Sequence, residues 1–203
     1  RYDHETTSPY RYSVYFDDFG VLVDYAPAEH SAVMSYTFEQ EGDRFVQLRN
    51  LNGNGKIYAE GNKMWGYDVY HGTNHYFYLE FDQTPVAFNG KDGDGIRYAQ
   101  FAPEVTTVKA RYGVSYIDEK QARKHMEREI SSFDVDKVAE AARKAWNKCL
   151  GKIEVEGGSE DERITSDAIV ELLPASITAA VDGTETTVAL NGWSCKDYPR
   201  AGT

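Results

Sequence analysis

The sequence is poor in basic residues and in long apolar runs. It carries 22 Lys and Arg against 33 Asp and Glu, a formal net charge of -11, whereas phosphate binding needs clustered cations. A nucleic-acid partner is therefore not expected. No stretch approaches the roughly 20 apolar residues that span a bilayer, so no membrane span is predicted. The first residues, RYDHETTSPYRYSV, lack the charged and then apolar pattern of a signal peptide, so none is expected in this chain.

Cysteine is scarce as well. Neither Cys149 nor Cys195 has the His or Cys spacing of a zinc site, so we predict two ordinary, partly buried thiols. The sequence contains no G-x-S-x-G, no P-loop, no G-x-G-x-x-G and no H-E-x-x-H. Nucleotide chemistry is therefore not indicated, and neither are the familiar serine and zinc hydrolase motifs.

What the chain does have is a succession of short alternating segments. Between Tyr10 and about Tyr116, strand-like runs such as YRYSVYFDD, RFVQLRNL and HYFYLEFDQ are separated by the breakers EGD, NGNG, EGN and NGKDGDG. Turn residues at such short intervals are typical of an antiparallel β-sandwich. We therefore predict a mainly β fold, with the sandwich over residues 1–116.

A helical pattern then replaces the alternation. Asp118 is placed to cap a helix in which Ala122, Met126 and Ile130 form one apolar stripe. A second helix is predicted in SSFDVDKVAEAARKAWNKCLG, ending near Gly151, with one apolar face formed by Val135, Val138, Ala142, Ala145 or Trp146, and Cys149. With the short strand KIEVEGG, these helices are predicted to form a linker over residues 117–163.

The last segment, residues 164–203, returns to β character. Its runs AIVELL, SITAAV and TTVAL are separated by Pro174 and by Asp182–Gly183, a pair typical of hairpin turns. About 40 residues are too few to close an independent sandwich. A partial β segment is therefore predicted here.

One glycine-punctuated stretch, GNKMWGYDVYHGTNHYFY, concentrates aromatic rings and polar groups. A sugar subsite needs a ring for stacking and a carboxylate or imidazole that hydrogen-bonds hydroxyls. The candidate substrate-binding residues are therefore Trp65, Tyr67, Asp68 and His71. The alternative is a strand whose aromatic side chains pack under the sheet, with its histidines at the surface.

Two other clusters are predicted to be structural. The loop in KDGDGIRYAQ has two aspartates but lacks the third oxygen ligand and the final bidentate Glu of a calcium loop, so a solvated hairpin loop is expected. Asp3, His4 and Glu5 lie at the start of the chain, where a dry and fixed catalytic pocket is rare, so we expect a structural role or a sheet edge. The spacing of the acidic residues alone selects no glycosidase carboxylate pair.

Several segments together resemble a known enzyme family. GNKMWGYDVY, YGVSYIDEKQARKHMEREI and FDVDKVAEAARKAWNKCLGKIEVEGGSEDER are similar to the bacterial calcium-dependent exo-α-mannosidases of glycoside hydrolase family 92. The resemblance covers residues 1–163, with His125 where the family often has Asn or Leu. It implies an N-terminal β-sandwich and the helices that lead to an (α/α)6 catalytic domain. It also implies a bacterial extracellular or cell-surface protein that acts on mannose-containing glycans.

The activity that the resemblance implies is inverting hydrolysis of terminal α-mannose. In the family, a Glu protonates the leaving oxygen, an Asp activates water and Ca2+ helps to distort the sugar, all within the catalytic domain. After Arg163, where the family continues F-Y-T-A-L-Y, this sequence reads ITSDAIVELL, and the family's opening N-P-F-I-G-T block is also lacking. No catalytic residue is therefore assigned, no calcium is expected on this chain, and the chain alone is expected to be inactive.

The tail has a resemblance of its own. From about residue 166, ELLPASITAAVDGTETTVALNGWSCKDYPRAGT is similar to the opening half of a bacterial Ig-like module. Three functions stay open: a non-catalytic part of an exo-α-mannosidase that packs on the catalytic domain and shapes its pocket, a glycan-binding module, or a structural spacer of a surface protein. The apolar helix stripes favour the first, because a free binding module would not expose them.

Overall fold

A computed structural model describes residues 1–51, 53–150, 176–181 and 184–189, with the last two ranges described by their backbone. The chain divides into two units, Arg1–Cys149 and Leu150–Thr203. Within the described residues, no helix has the length and apolar character needed to cross a membrane.

The first unit is built on two antiparallel sheets. The large sheet has eight strands in the order β1-β2-β3-β4-β11-β8-β7-β6, and the small sheet has three, in the order β5-β10-β9. The strands are β1 Asp3–Ser8, β2 Arg11–Phe16, β3 Val21–Pro27, β4 Ser31–Phe38, β5 Arg44–Arg49, β6 Lys56–Glu60, β7 Lys63–Tyr70, β8 Thr73–Phe81, β9 Ala87–Asn89, β10 Ile96–Phe101 and β11 Thr107–Ser115. The mainly β prediction is confirmed. Asp3, His4 and Glu5 lie in β1, an exposed edge strand.

The main core lies between the two sheets. The large sheet contributes buried residues of β4, β6, β7, β8 and β11, and the small sheet contributes residues of β5 and β10. Phe81 and Phe101 touch edge to face with ring centroids 5.2 Å apart, and Ile57 and Met64 are fully buried. Alternation in the strands therefore builds this core, because successive side chains point to opposite faces.

Helix α1, Glu119–Glu129, lies on the outer face of the large sheet. Its start is capped as predicted, since the Asp118 carboxylate accepts a hydrogen bond of 2.7 Å from the Gln121 amide. Ala122 and Met126 are fully buried against Tyr78. The approach is close enough to require glycine in β11, because a Cβ on Gly113 would lie 2.2 Å from the Ala122 carbonyl oxygen.

Helix α2, Val135–Leu150, packs on the same face through its first two turns only. Val135 and Ala139 are buried together with Ala26, Val33 and Ile130. Beyond Ala142 the helix is exposed, and Trp146 keeps 42% of its surface accessible. The predicted apolar face is thus covered at one end and open at the other. Cys149, predicted to be partly buried, is exposed because it lies in the open last turn.

Two arginines fasten the helices to the sheet. Arg11 of β2 donates to Asp24 of β3 and, at 2.7 Å, to Asp136 of α2. Arg111 of β11 donates to Glu80 of β8 at 2.6 Å and to the Ile130 carbonyl at 2.7 Å. The second contact satisfies a backbone acceptor just beyond the end of α1, so the helix end and the sheet share one cation.

The second unit contains a described hairpin. Strands β12, Ser176–Val181, and β13, Thr184–Ala189, pair antiparallel as predicted, with Val181 opposite Thr184. The predicted strands AIVELL and KIEVEGG, and the helix end at Gly151, lie outside the described residues. The predicted boundaries at 116 and 163 and the likeness of the tail to an Ig-like module stay predictions.

Candidate functional site

The β7–β8 hairpin carries all four predicted substrate-binding residues. Its turn consists of His71 and Gly72, which have φ angles of 48° and 76°, the backbone geometry of a tight two-residue hairpin turn. Trp65 lies opposite Tyr78, and Asp68 lies opposite His75. Since side chains alternate along a strand, Trp65 and Tyr67 share one face and Asp68 lies on the other.

Trp65 is a packing residue on the helix side of the sheet. Its ring stacks on Tyr58 with centroids 6.2 Å apart and an interplanar angle of 22°. It also packs against the cluster of Tyr78, Ala122 and Met126 beneath α1. Tyr67, on the same face, has its ring 5.9 Å from that of Tyr76. Both rings therefore contact neighbouring side chains of the sheet.

Asp68 lies on the face of β7 opposite Trp65 and Tyr67, where it binds backbone amides. One carboxylate oxygen accepts the Leu51 N–H at 3.1 Å and the other accepts the Val69 N–H at 2.9 Å. A carboxylate that accepts backbone donors in this way orders the loop after β5. The structure therefore does not bring Asp68 together with Trp65 and Tyr67.

His71 belongs to a different group of rings at the end of the large sheet. Its ring lies 4.3 Å from Tyr70, Tyr70 lies 6.1 Å from His75, and His75 lies 4.8 Å from Tyr116. We call these four residues the ring strip. Tyr70 and His75 lie in the same glycine-punctuated stretch as His71, whereas Tyr116 lies outside it and is not predicted from the sequence. Tyr116 joins the strip because β11 pairs with β8, and this pairing cannot be predicted from the residues next to Tyr116 in sequence.

Glu129, near the end of α1, is the most strongly perturbed acid of the described residues. One carboxylate oxygen accepts the backbone N–H of His30 at 2.8 Å and the Ser31 hydroxyl at 2.7 Å. The other accepts a guanidinium N–H of Arg128 at 2.7 Å and lies 3.1 Å from the His30 ring nitrogen. Burial opposes ionisation of Glu129, but these hydrogen bonds outweigh it and lower the pKa to about 2. Glu129 is therefore a structural anion.

One cluster of the described residues has the ligand types of a metal site. Ligand atoms of Glu29, His30 and Glu129 lie within 4.8 Å of one another. Calcium prefers oxygen ligands, and the oxygens of Glu129 already accept four hydrogen bonds. A general acid of a glycosidase needs a raised pKa, the reverse of that of Glu129. The cluster thus fits neither calcium nor acid catalysis.

The aspartate loop at Lys91–Gln100 also does not fit calcium. Asp92 is paired with Arg97 at 3.1 Å, and a second guanidinium nitrogen of Arg97 donates to the Gly90 carbonyl. A cation beside this carboxylate competes with a metal ion for the same oxygens. Arg97 therefore connects both ends of this loop.

The described surface has cavities beside α2 and beside both sheets. One, of about 650 Å³, runs beside α2 and is lined by Pro9, Pro27, Ala28, Val138, Ala142 and Trp146 among others. The second, of about 930 Å³, lies between the sheets and is lined by Phe16, Val23, Tyr36, Phe45 and Tyr98 among others. Burial raises the pKa of Tyr36 to about 12, so its phenol stays neutral. Both linings are mainly apolar.

The fold and this surface define a β-sandwich domain with helices continuing from its last strand, and the family comparisons assign it to the glycosidases. The model of the glycosyl hydrolase family 92 N-terminal domain matches residues 1–115, and that of the glycosyl hydrolase family 92 catalytic domain matches residues 121–166. The chain belongs to glycosyl hydrolase family 92. Most of α1 and all of α2, which the sequence predicted to form a linker, thus fall within the range matched by the catalytic-domain model.

Similar proteins include one of known sequence and several of known structure. An "uncharacterized secreted glycosidase" of the fungus Arthroderma benhamiae is 39% identical over 70 residues, covering 34% of this chain and 9% of that protein. A family GH92 inverting mannosidase from Bacteroides thetaiotaomicron aligns with a TM-score of 0.72 at 25% identity, covering 89% of this chain. A family GH92 α-mannosidase from the same species aligns at 0.66 and 18% identity over 78% of this chain, which supports the fold alone.

The matched proteins are much longer than this chain. The chain covers 28% and 26% of the two bacterial mannosidases. Residues 1–115 therefore correspond to the N-terminal domain of the family, and residues 121–166 correspond to part of its catalytic domain.

Proposed function

We propose that the chain is the non-catalytic N-terminal portion of a secreted exo-α-mannosidase that hydrolyses terminal α-mannose of glycans with inversion. Membership of family 92 supports the glycosidase class. The likeness to an inverting mannosidase supports the substrate and the stereochemistry, and the secreted fungal relative supports the location. In this proposal Ca2+ and both catalytic carboxylates belong to the (α/α)6 domain.

The open half of α2 is the observation that carries the proposal. Val138, Ala142 and Trp146 line the cavity of about 650 Å³, while the first turns of the same helix are buried on the sheet. An amphipathic helix stabilises its apolar side by burial against a partner. We infer that the remainder of the catalytic domain packs there, so that the sandwich supports one side of the sugar pocket.

A second candidate function, glycan binding by the sandwich itself, is favoured by the exposed ring strip. The predicted substrate-binding residues Trp65, Tyr67, Asp68 and His71 stay predictions. Of the four, His71 is the one that lies in the strip, whereas Trp65 packs beneath α1.

Proton NMR of α-1,2-mannobiose hydrolysis tests the enzymatic proposal. The protein isolated from its source is expected to exceed 22.9 kDa and to release β-mannose first in the presence of calcium. Chelation should stop the release, and added calcium should restore it. The purified 203-residue chain should release none.

Two results would contradict the proposal. Release of α-mannose first would exclude inversion. Calcium-dependent release by the 203-residue chain itself would show that the chain contains its own catalytic machinery.

A further inference from the structure

The ring strip exposes a large aromatic surface at one end of the large sheet. Tyr70 keeps 52% of its surface accessible and Tyr116 keeps 72%. Rings of this size contribute most to stability when they are buried. Contiguous exposed rings are therefore more typical of a binding surface than single exposed side chains are.

The rings hold one another in place. Tyr70 meets His71 at 77° and His75 at 86°, and His75 meets Tyr116 at 68°, so each pair is arranged edge to face. The end of β11 is fixed by the His125 ring nitrogen, 2.9 Å from the Val114 carbonyl. A surface ordered before binding loses less side-chain entropy when a ligand arrives.

The chemistry of the strip suits a neutral polyhydroxyl ligand. Phenol rings present flat faces to sugar C–H groups, while phenol hydroxyls and imidazole nitrogens donate and accept hydrogen bonds. The strand carboxylate opposite His75, that of Asp68, already accepts two backbone amides. With the chain at a net charge of -11, a phosphorylated ligand is disfavoured.

The position of the strip points to the same ligand. Tyr116 lies between the range matched by the N-terminal model, residues 1–115, and the range matched by the catalytic-domain model, residues 121–166. The strip therefore borders the place where the chain passes from one domain to the other. We propose that the ring strip binds sugar units of a mannose-containing glycan, with Tyr70 and Tyr116 as the stacking residues; the choice of mannose rests on the proposed function.

Affinity electrophoresis of the 203-residue chain in gels containing yeast mannan tests this proposal. The wild-type chain should be retarded by mannan and not by a galactan of similar size. The double variant Tyr70→Ala with Tyr116→Ala should raise the apparent Kd at least about tenfold, because two stacking contacts are lost. Phe19→Ala is the matched control, since Phe19 is 74% exposed and lies outside the strip.

A second double variant separates stacking from folding. Tyr70→Phe with Tyr116→Phe keeps both rings and should bind mannan within about threefold of the wild type, since only hydroxyl contacts are lost. The proposal is overturned if mannan does not retard the wild-type chain, or if the alanine variant is retarded as strongly. It is also overturned if the phenylalanine variant binds as weakly as the alanine variant.

The outcomes distinguish this proposal from the enzymatic one. Mannan retardation that depends on Tyr70 and Tyr116 supports the strip even if the source protein releases no mannose. Release of β-mannose by the source protein, together with a wild-type chain that mannan does not retard, overturns the strip alone.

Discussion

Replacing Glu129 by Gln should weaken the attachment of α1 to the sheet. It should also make the free energy of unfolding less dependent on pH in the acidic range. The carboxylate binds His30 and Ser31, at the turn between β3 and β4, to the end of α1. Its side chain is only 10% exposed. The Glu129→Gln variant would keep the shape of the side chain but would present an amide N–H where the carboxylate now faces several donors.

The size of the effect follows from the pKa of Glu129. A decrease from the ordinary value of 4.5 to about 2 corresponds to about 3 kcal/mol of the free energy of unfolding at neutral pH. Solvent screening at the exposed Arg128 partner reduces the expected loss to about 2 kcal/mol. Because the folded-state pKa is the lower one, this contribution is complete above pH 4.5 and disappears as the pH falls through about 2.

Urea unfolding followed by tryptophan fluorescence measures the difference between wild type and variant. We expect a difference of about 2 kcal/mol at pH 7 that shrinks steadily between pH 4.5 and 2. Glu127→Gln, an exposed position on the same helix, is the control and should stay close to the wild type. A difference between Glu129→Gln and wild type that does not change with pH would refute the reasoning.

Three further predictions concern the packing of α1 on the large sheet. Gly113→Ala places a Cβ 2.2 Å from the Ala122 carbonyl oxygen and should lower the free energy of unfolding by about 1–3 kcal/mol in urea titration; an unchanged midpoint would contradict the close approach. Asp118→Ala removes the helix cap and should cost about 1 kcal/mol by the same assay, with Asp118→Asn recovering most of it. Trp65→Ala should lower the free energy of unfolding by about 2 kcal/mol and leave mannan retardation unchanged, because Trp65 packs beneath α1. Loss of retardation with an unchanged melting temperature would show instead that Trp65 binds the glycan.

Much of the fold could be predicted from local patterns. Alternation and closely spaced Gly-rich breakers identified the β region, and the spacing of Ala122, Met126 and Ile130 identified the helix that packs on it. The N-cap at Asp118 could also be predicted from the sequence, because capping depends on residues within one helical turn. The strand β1 was recognised only as a possible edge, since its six residues are nearly all exposed and have no buried face.

The arrangement of the strands could not be predicted in the same way. β11 lies between β4 and β8, and β5 belongs to the small sheet although β4 and β6 belong to the large one. These pairings depend on contacts between distant parts of the chain, which periodicity within a window does not report. The exposed second half of α2 is a similar case, because the sequence repeats its apolar face whether or not a surface covers it.

By itself, the sequence determined the order of sandwich and helices and, through its motifs, the family, because alternation, helix periodicity and capping act between near neighbours. Only the tertiary structure decided which side chains of the hairpin stretch share a surface. Trp65 and Asp68 are close in sequence yet lie on opposite faces of one strand, while Tyr116 reaches His75 through the pairing of β11 with β8. The physical reason is that strand pairing and helix docking determine which face of a strand is covered, and the alternation pattern of a single strand is the same for either face.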